Sequence, residues 1–354
     1  MWWIRIKTDL WKWIKRAGLY IKVVLPKLIR FAKSSRWLPG ALISFAVALV
    51  IVFSVDWPAL APIIDRPGWW ILLATVFFYF NAIFCRAAIL RVLLSERVDY
   101  ARSLVNLSEG YLINILMPLR LGDNGRAFIL ARKLGLSEYE IRSAIRVERL
   151  YDAFIVAGLL IISLLVSTIN RDLKIFIFGI LFLLVILLLS LPRIAKRLNQ
   201  SATSMEKNLE SFPWISQAIQ NKALSLFVGM NVLTDSNLFA SSLFWSALAW
   251  VFRIAGLFTL IKGVSPYAPF GYGIFVAAVL AISLRIPSGP ASVGLYEGAI
   301  ILALYLLNVD PTTALACALM SHLIDIIQSL LLGSPVFILE GESLTGLYKK
   351  LTGF

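Results

Sequence analysis

The apolar positions of this chain gather into long runs separated by short polar breaks, at 39–56, 69–92, 150–169, 174–191, 238–261, 270–286, 290–308 and 312–335. A helix needs about 20 mostly apolar residues to cross the roughly 30 Å hydrocarbon core of a bilayer. The pattern therefore predicts an all-α polytopic membrane protein with about eight transmembrane helices. A ninth run, Leu104 to Pro118, is interrupted by Asn106, Ser108, Glu109 and Asn114 and is followed by Arg120 and Gly122. It is too short and too polar to cross alone. Arg91, Arg97 and Arg102 precede it, and Arg126, Arg132, Lys133, Arg142 and Arg146 follow it. Basic loops stay in the cytoplasm, so the segment near 104–132 is expected to be a re-entrant hairpin with its break between Pro118 and Gly125.

The flanking segments complete the expected layout. Residues 1–37 interleave ten bases and one acid with Trp3, Ile6, Leu10, Trp13, Ala17 and Ile21 at helical spacing, as a basic amphipathic helix on a membrane surface would. The longest polar stretch, 192–237, reads as a cytoplasmic amphipathic linker between a first membrane half, 38–191, and a second, 238–354. The outer loops this implies, 57–68, 170–173, 262–269 and 309–311, contain Arg66, Arg171 and Lys262 of the 34 bases. Both termini are then cytoplasmic, in a multi-pass protein of the cell membrane.

Composition narrows the class. The chain is 59% hydrophobic and 15% charged, against about 45–50% and 25% for soluble domains, which excludes an ordinary soluble protein. Its net charge of +14 fits anionic lipid headgroups and positive-inside loops, and with no nucleic-acid-binding motif in the chain, nucleic acid is not an expected partner. Cys85 and Cys317 lie in apolar runs, and with one histidine they cannot build a four-ligand zinc site. No disulfide, metal or cofactor is expected. Possible homo-oligomers are not distinguished, because a lipid-facing surface and an oligomer surface look alike in hydropathy.

Charges inside apolar runs carry the functional signal, since each costs roughly 2.5–3.5 kcal/mol to insert at the bilayer centre. Arg253 lies within 238–261, Glu297 follows the segment broken by Pro287, Gly289, Pro290 and Gly294, and His322 and Asp325 share one face of the last run. The signs complement one another, so a neutral internal strut competes with a binding role for Arg253. In the first half, Pro118, Arg120, Gly122, Asp123 and Arg126 at the break precede Glu148, Arg149 and Asp152. Arginines beside freed backbone amides suit a phosphate, while positive-inside anchors and local helix pairs are the plain alternative. Each half pairs a Pro/Gly break with a later acid, which suggests an inverted repeat with its site between the halves.

Two blocks carry a resemblance to a known family. One is Asn114-Ile-Leu-Met-Pro118-Leu-Arg120-Leu-Gly122-Asp123-Asn-Gly125-Arg126, continued by Val147-Glu148-Arg149-Leu-Tyr-Asp152, and the other is Pro287-Ser-Gly289-Pro290-Ala-Ser-Val-Gly294-Leu-Tyr-Glu297. In order and spacing they resemble the lysylphosphatidylglycerol synthase transmembrane-region family, which includes the flippase half of the bacterial multiple peptide resistance factor. The resemblance covers most of 39–335. It differs in the last run, where the family pattern carries an arginine near the position of His322. The chain also ends at Phe354 without the soluble aminoacyl-transferring domain, so lysyl transfer is not carried over.

The resemblance implies lipid handling. The expected function is a lipid flippase or scramblase that shelters an anionic phospholipid or lipid-linked headgroup in a polar groove between broken helices, and not an enzyme. Arg120, Arg126 and Arg149 are expected to take the phosphate. Asp123, Glu148 and Glu297 would balance them or bind an amine. Without a phosphate-binding nucleotide loop, transport would be passive or coupled to protons through Glu297 or His322. An intramembrane lipid-modifying transferase and a non-transporting scaffold are the alternatives.

Overall fold

The computed structural model describes residues 38–54, 56–117, 120–166, 171–209 and 231–339. The amphipathic segment 1–37, Pro118 at the first break, the linker part 210–230 and the tail 340–354 lie outside the described residues. Among the described residues the regular structure is helical, with no strand.

Helix α1 (Leu38–Ser54) and α2 (Trp57–Ile64) are bent sharply against each other, the bend measuring 95° between Phe45–Phe53 and Trp57–Ile64. Helix α3 (Trp69–Leu93) leads to α4 (Tyr100–Leu116), where the Asp99 carboxylate caps the start by accepting the Arg102 N–H at 2.6 Å. Helix α5 (Gly122–Leu134) stops at Gly135, whose φ of 64° provides the left-handed C-cap. Then come α6 (Glu138–Val166), α7 (Arg171–Leu209), a single turn α8 (Asn231–Thr234) and α9 (Ser236–Val264). The chain closes with α10 (Phe270–Ser283), a 3-10 turn (Pro290–Ser292), α11 (Leu295–Leu306) and α12 (Pro311–Leu339).

Every expected apolar run holds helix where it is described, but length separates them. Four helices are long and apolar enough to cross a membrane, Trp69–Leu93, Ile177–Arg197, Ser236–Val264 and Pro311–Pro335, or five if the bent α1–α2 pair is one span. Helices α10 and α11 have 14 and 12 residues, about 21 Å and 18 Å at 1.5 Å per residue. Neither reaches across 30 Å. Helix α6 is long, but its first half carries Glu138, Glu140, Arg142, Arg146, Glu148, Arg149 and Asp152. Helix α7 does not stop at residue 191 but runs through Pro192 to Leu209, taking in the first part of the expected linker.

Packing divides the apolar interior in two. One core joins α9, α10, α11 and α12 through Leu257, Val276, Ile300 and Leu315, with Leu60 of α2 and Val156 of α6 at its edge. The second joins the end of α3 to α5 and the start of α6 through Leu90, Leu130 and Ile141, with Phe239 of α9. Tight contacts depend on glycine: a Cβ on Gly256 of α9 would meet the Tyr79 ring of α3 at 2.5 Å. Outward, Phe178, Phe182, Leu183 and Leu189 of α7 and Phe45 and Phe53 of α1 are exposed. Apolar surface on this scale is at home against lipid tails and untenable in water.

Candidate functional site

The two helix breaks meet. Between α4 and α5 the chain turns through Arg120, a non-glycine residue at φ 54°, and between α10 and α11 it passes Ala291 at φ 53°, Ser292 at φ 59° and Gly294 at φ 82°. Left-handed backbone outside glycine costs about 1–2 kcal/mol per residue, so such positions persist only where neighbours hold them. Here they do: the Arg120 guanidinium donates to the Leu284 carbonyl at the end of α10, and the Arg285 guanidinium reaches the Arg149 carbonyl at 3.4 Å. The Ser288 and Ser292 hydroxyls bond each other at 2.8 Å. A cavity of about 510 Å³ lies at this junction, bounded also by α3, α6, α9 and α12.

Toward α5 and α6 the wall is an ionic network of three arginines and three carboxylates. The Arg149 guanidinium grips Asp123 at 2.8 and 2.7 Å and reaches Asp152 at 3.1 Å. Arg86 bridges Glu148 at 3.2 Å and Asp152 at 3.1 and 3.2 Å, and Arg126 holds Glu148 at 2.8 Å. The Trp250 indole N–H donates to Asp152 at 2.8 Å. Each ion satisfies more than one partner, which is the condition under which buried charge is tolerated.

Toward α9 and α12 a second network forms. Arg253 meets Asp325 with two bonds of 2.7 Å, and the Tyr296 hydroxyl donates to the same carboxylate at 2.7 Å while accepting from Arg253 at 2.9 Å. The Ser321 hydroxyl bonds both Tyr296 and Tyr79 at 2.8 Å, and the Arg253 guanidinium lies 4.1 Å over the Tyr79 ring. His322 stacks on Tyr296 with ring centroids 4.2 Å apart. Its Nδ1 faces Glu297 at 2.5 Å and its Nε2 faces the Ala291 carbonyl at 2.9 Å. Glu297 also accepts the Gly294 N–H at 2.7 Å, pinning the break to the start of α11.

Of the side chains singled out from sequence, Arg120, Asp123, Arg149, Asp152, Arg253, His322 and Asp325 line the cavity. Arg126, Glu148 and Glu297 are buried behind them. Gly122 lies where α5 meets α4: a Cβ there would sit 2.1 Å from the Gly110 carbonyl oxygen. Pro287, Gly289, Pro290 and Gly294 fall in the α10–α11 break, as expected, while Pro118 is outside the described residues.

A match to a family model spans residues 38–333 and is described as the lysylphosphatidylglycerol synthase TM region. The chain belongs to the lysylphosphatidylglycerol synthase transmembrane-region family. It is also similar to a UPF0104 membrane protein of Methanocaldococcus jannaschii, 23% identical over 231 residues, which cover 64% of this chain and 92% of the relative. The matched region holds both breaks and the five cavity-lining arginines, Arg86, Arg120, Arg149, Arg253 and Arg285, so in this family member the cavity belongs to the shared membrane region.

Sequence reasoning missed several cavity residues of this family member. Arg86 sits inside the apolar run 69–92 and met the same criterion of expensive charge as Arg253. Tyr79, Trp250 and Tyr296 were invisible because aromatic residues are ordinary in membrane helices, and Arg285, inside the run 270–286, was not singled out. Gln328 is 3% exposed on α12 and lines the cavity. Its polarity amid apolar neighbours was the available signal.

Proposed function

We propose that this protein moves an anionic lipid headgroup between the leaflets of the cell membrane, as a flippase or scramblase. The observation that carries the reading is the arginine-rich cavity at the meeting point of two helix breaks, inside a body whose outer surface is apolar. Irregular backbone at membrane depth is stable where it lines a polar cavity, and such broken helices mark binding sites in transporters. In this reading α4–α5 dips in from the cytoplasm and α10–α11 from the outside, so that two short hairpins oppose each other as an inverted repeat. The apolar runs other than 270–286 and 290–308 then cross, the apolar second half of α6 adding a sixth crossing to the five helices or bent pairs long enough by themselves, which leaves both termini cytoplasmic in this reading. The acyl chains remain in the bilayer while the headgroup passes the hairpin tips.

The reading treats the chain as a transporter and not an enzyme. Each carboxylate lining or backing the cavity is already engaged, Asp123, Glu148, Asp152 and Asp325 by arginines and Glu297 by His322, which leaves none poised as a general base. The test is a dithionite assay on liposomes that contain the purified chain and phosphatidylglycerol labelled on an acyl chain. Faster loss of inner-leaflet fluorescence than in empty liposomes is expected. Absence of movement for several anionic and zwitterionic lipids, with and without a proton gradient, would overturn the reading.

A further inference from the structure

We propose that the cavity selects a phosphate headgroup that carries no amine, clamped between Arg120 of the first break and Arg285 of the second. This rests on the lipid-translocation reading and names its substrate class. Its basis is what the ion pairs leave over. Arg86, Arg126 and Arg149 are matched to Asp123, Glu148 and Asp152, Arg253 to Asp325, and His322 to Glu297. Arg120 and Arg285 have no carboxylate partner among the described residues, and both line the cavity. Each uses a guanidinium N–H on a backbone carbonyl, out of five available donors.

A second, independent feature points the same way. The Gln328 side chain is 3% exposed and lines the cavity, and its Nε2 amide has no hydrogen-bond partner among the described residues. An unsatisfied buried donor is a cost that a ligand oxygen removes. The uncommitted groups are therefore two guanidinia and an amide N–H, all seeking acceptors. Arg149 and Arg285 repel the charge of Arg120, Asp123 offsets part of that, and an anion placed among the arginines relieves the rest. Phosphate oxygens answer every one of these groups, and guanidinium forks fit them bidentately. An amine has the reverse fate. An ethanolamine or lysyl group would enter beside two arginines that have no ion-pair partner and find the carboxylates of the site already bonded.

The clamp also links selectivity to movement. Because one arginine comes from each break, a bound phosphate ties the two hairpin tips, and their separation requires its release. The inference is tested by calorimetric titration of the full-length chain in detergent with dihexanoylphosphatidic acid, dihexanoylphosphatidylglycerol, dihexanoylphosphatidylethanolamine and sodium phosphate. The two amine-free lipids are expected to bind about tenfold or more tightly than the ethanolamine lipid, the scale of one lost charge-assisted contact. Arg285→Gln and Arg120→Gln should each erase that margin. Arg285 is exposed, so its variant keeps the fold even if Arg120→Gln, which loses the Leu284 contact, does not. Equal affinity for the ethanolamine lipid, or an unchanged margin in Arg285→Gln, overturns the clamp, as does binding of none of the lipids. Sodium phosphate binding as tightly as the lipids would assign the site to free anions and overturn its lipid role. In parallel, acyl-labelled phosphatidylglycerol and phosphatidylethanolamine are compared in the dithionite assay. Equal movement of both defeats the clamp and leaves translocation standing, whereas movement of neither defeats translocation itself.

Discussion

Arg253 on α9 and Asp325 on α12 meet through two bonds of 2.7 Å, yet their side chains keep 22% and 25% of their exposure because they face the cavity. Removing one partner leaves the other charged in a largely apolar body, and loss of half a buried pair costs about 3–5 kcal/mol. Asp325→Ala also deprives the Tyr296 hydroxyl of its acceptor at 2.7 Å. Arg253→Ala and Asp325→Ala should therefore each lower the thermal midpoint in detergent, and the double variant should lose less than the two singles combined. A coupling of at least about 1 kcal/mol in that cycle is expected. Additive losses would mean that the pair does not hold α9 to α12. That Arg253 would meet an acid was legible in the sequence as complementary charges at costly positions, with Glu297 and Asp325 both candidates, and the structure gives it Asp325 while Glu297 goes to His322. That the same arginine lies over Tyr79 was not legible, because 174 residues of chain separate them and no local pattern encodes which helix faces will meet.

Among elements, the approach of α5 to α4 decides whether the first break closes. The Gly122 N–H donates to the Asn114 side-chain oxygen at 2.8 Å, and a Cβ at Gly122 would stand 2.1 Å from the Gly110 carbonyl oxygen and 2.6 Å from the Asn114 Cγ. Gly110 in turn faces the Arg126 side chain, its own Cβ position lying 2.9 Å from the Arg126 Cδ. Gly122→Ala forces backbone apart and disturbs the buried Arg126–Glu148 pair. A loss of about 1–3 kcal/mol, the usual range for overpacking, is expected in thermal unfolding, with Gly135→Ala at the far end of α5 as a comparison that meets no neighbour within 4 Å but strains a left-handed cap. An unchanged midpoint for Gly122→Ala would show that the two helices separate freely. Helix existence was read from the periodicity and length of apolar runs, and so was a break after α4, but the next helix starts at Gly122, inside the expected 118–125. The shortness of α10 and α11 was not read, since residues 270–308 are apolar almost throughout and hydropathy alone does not register that Pro287, Gly289 and Pro290 end one helix before it has crossed.

For the molecule as a whole, the proposed opposing hairpins and a set of eight full crossings place the same loops on the same sides, so sidedness at the loops does not separate them. The tip of the second break does. If α10 and α11 each crossed, Pro287 would emerge in the cytoplasm. At about 21 Å and 18 Å each is too short to cross 30 Å, and in the proposed hairpin the tip stays inside the bilayer, with Arg120 bonded to the Leu284 carbonyl and His322 to the Ala291 carbonyl beside it. The native thiols give little background, since Cys85 and Cys317 are buried at 5% and 0% exposure. Single cysteines are introduced at Tyr139, at the start of the charged half of α6, at Tyr267, which is 98% exposed, and at Pro287. In oriented membranes a bulky, impermeant maleimide should label Tyr139→Cys only from the cytoplasm and Tyr267→Cys only from outside. Pro287→Cys should resist it from both faces and yet react with the small, permeant N-ethylmaleimide. Cytoplasmic labelling of Pro287→Cys by the bulky reagent would restore eight crossings, and the cavity would then lie near one membrane surface, where a headgroup could be bound but not carried through.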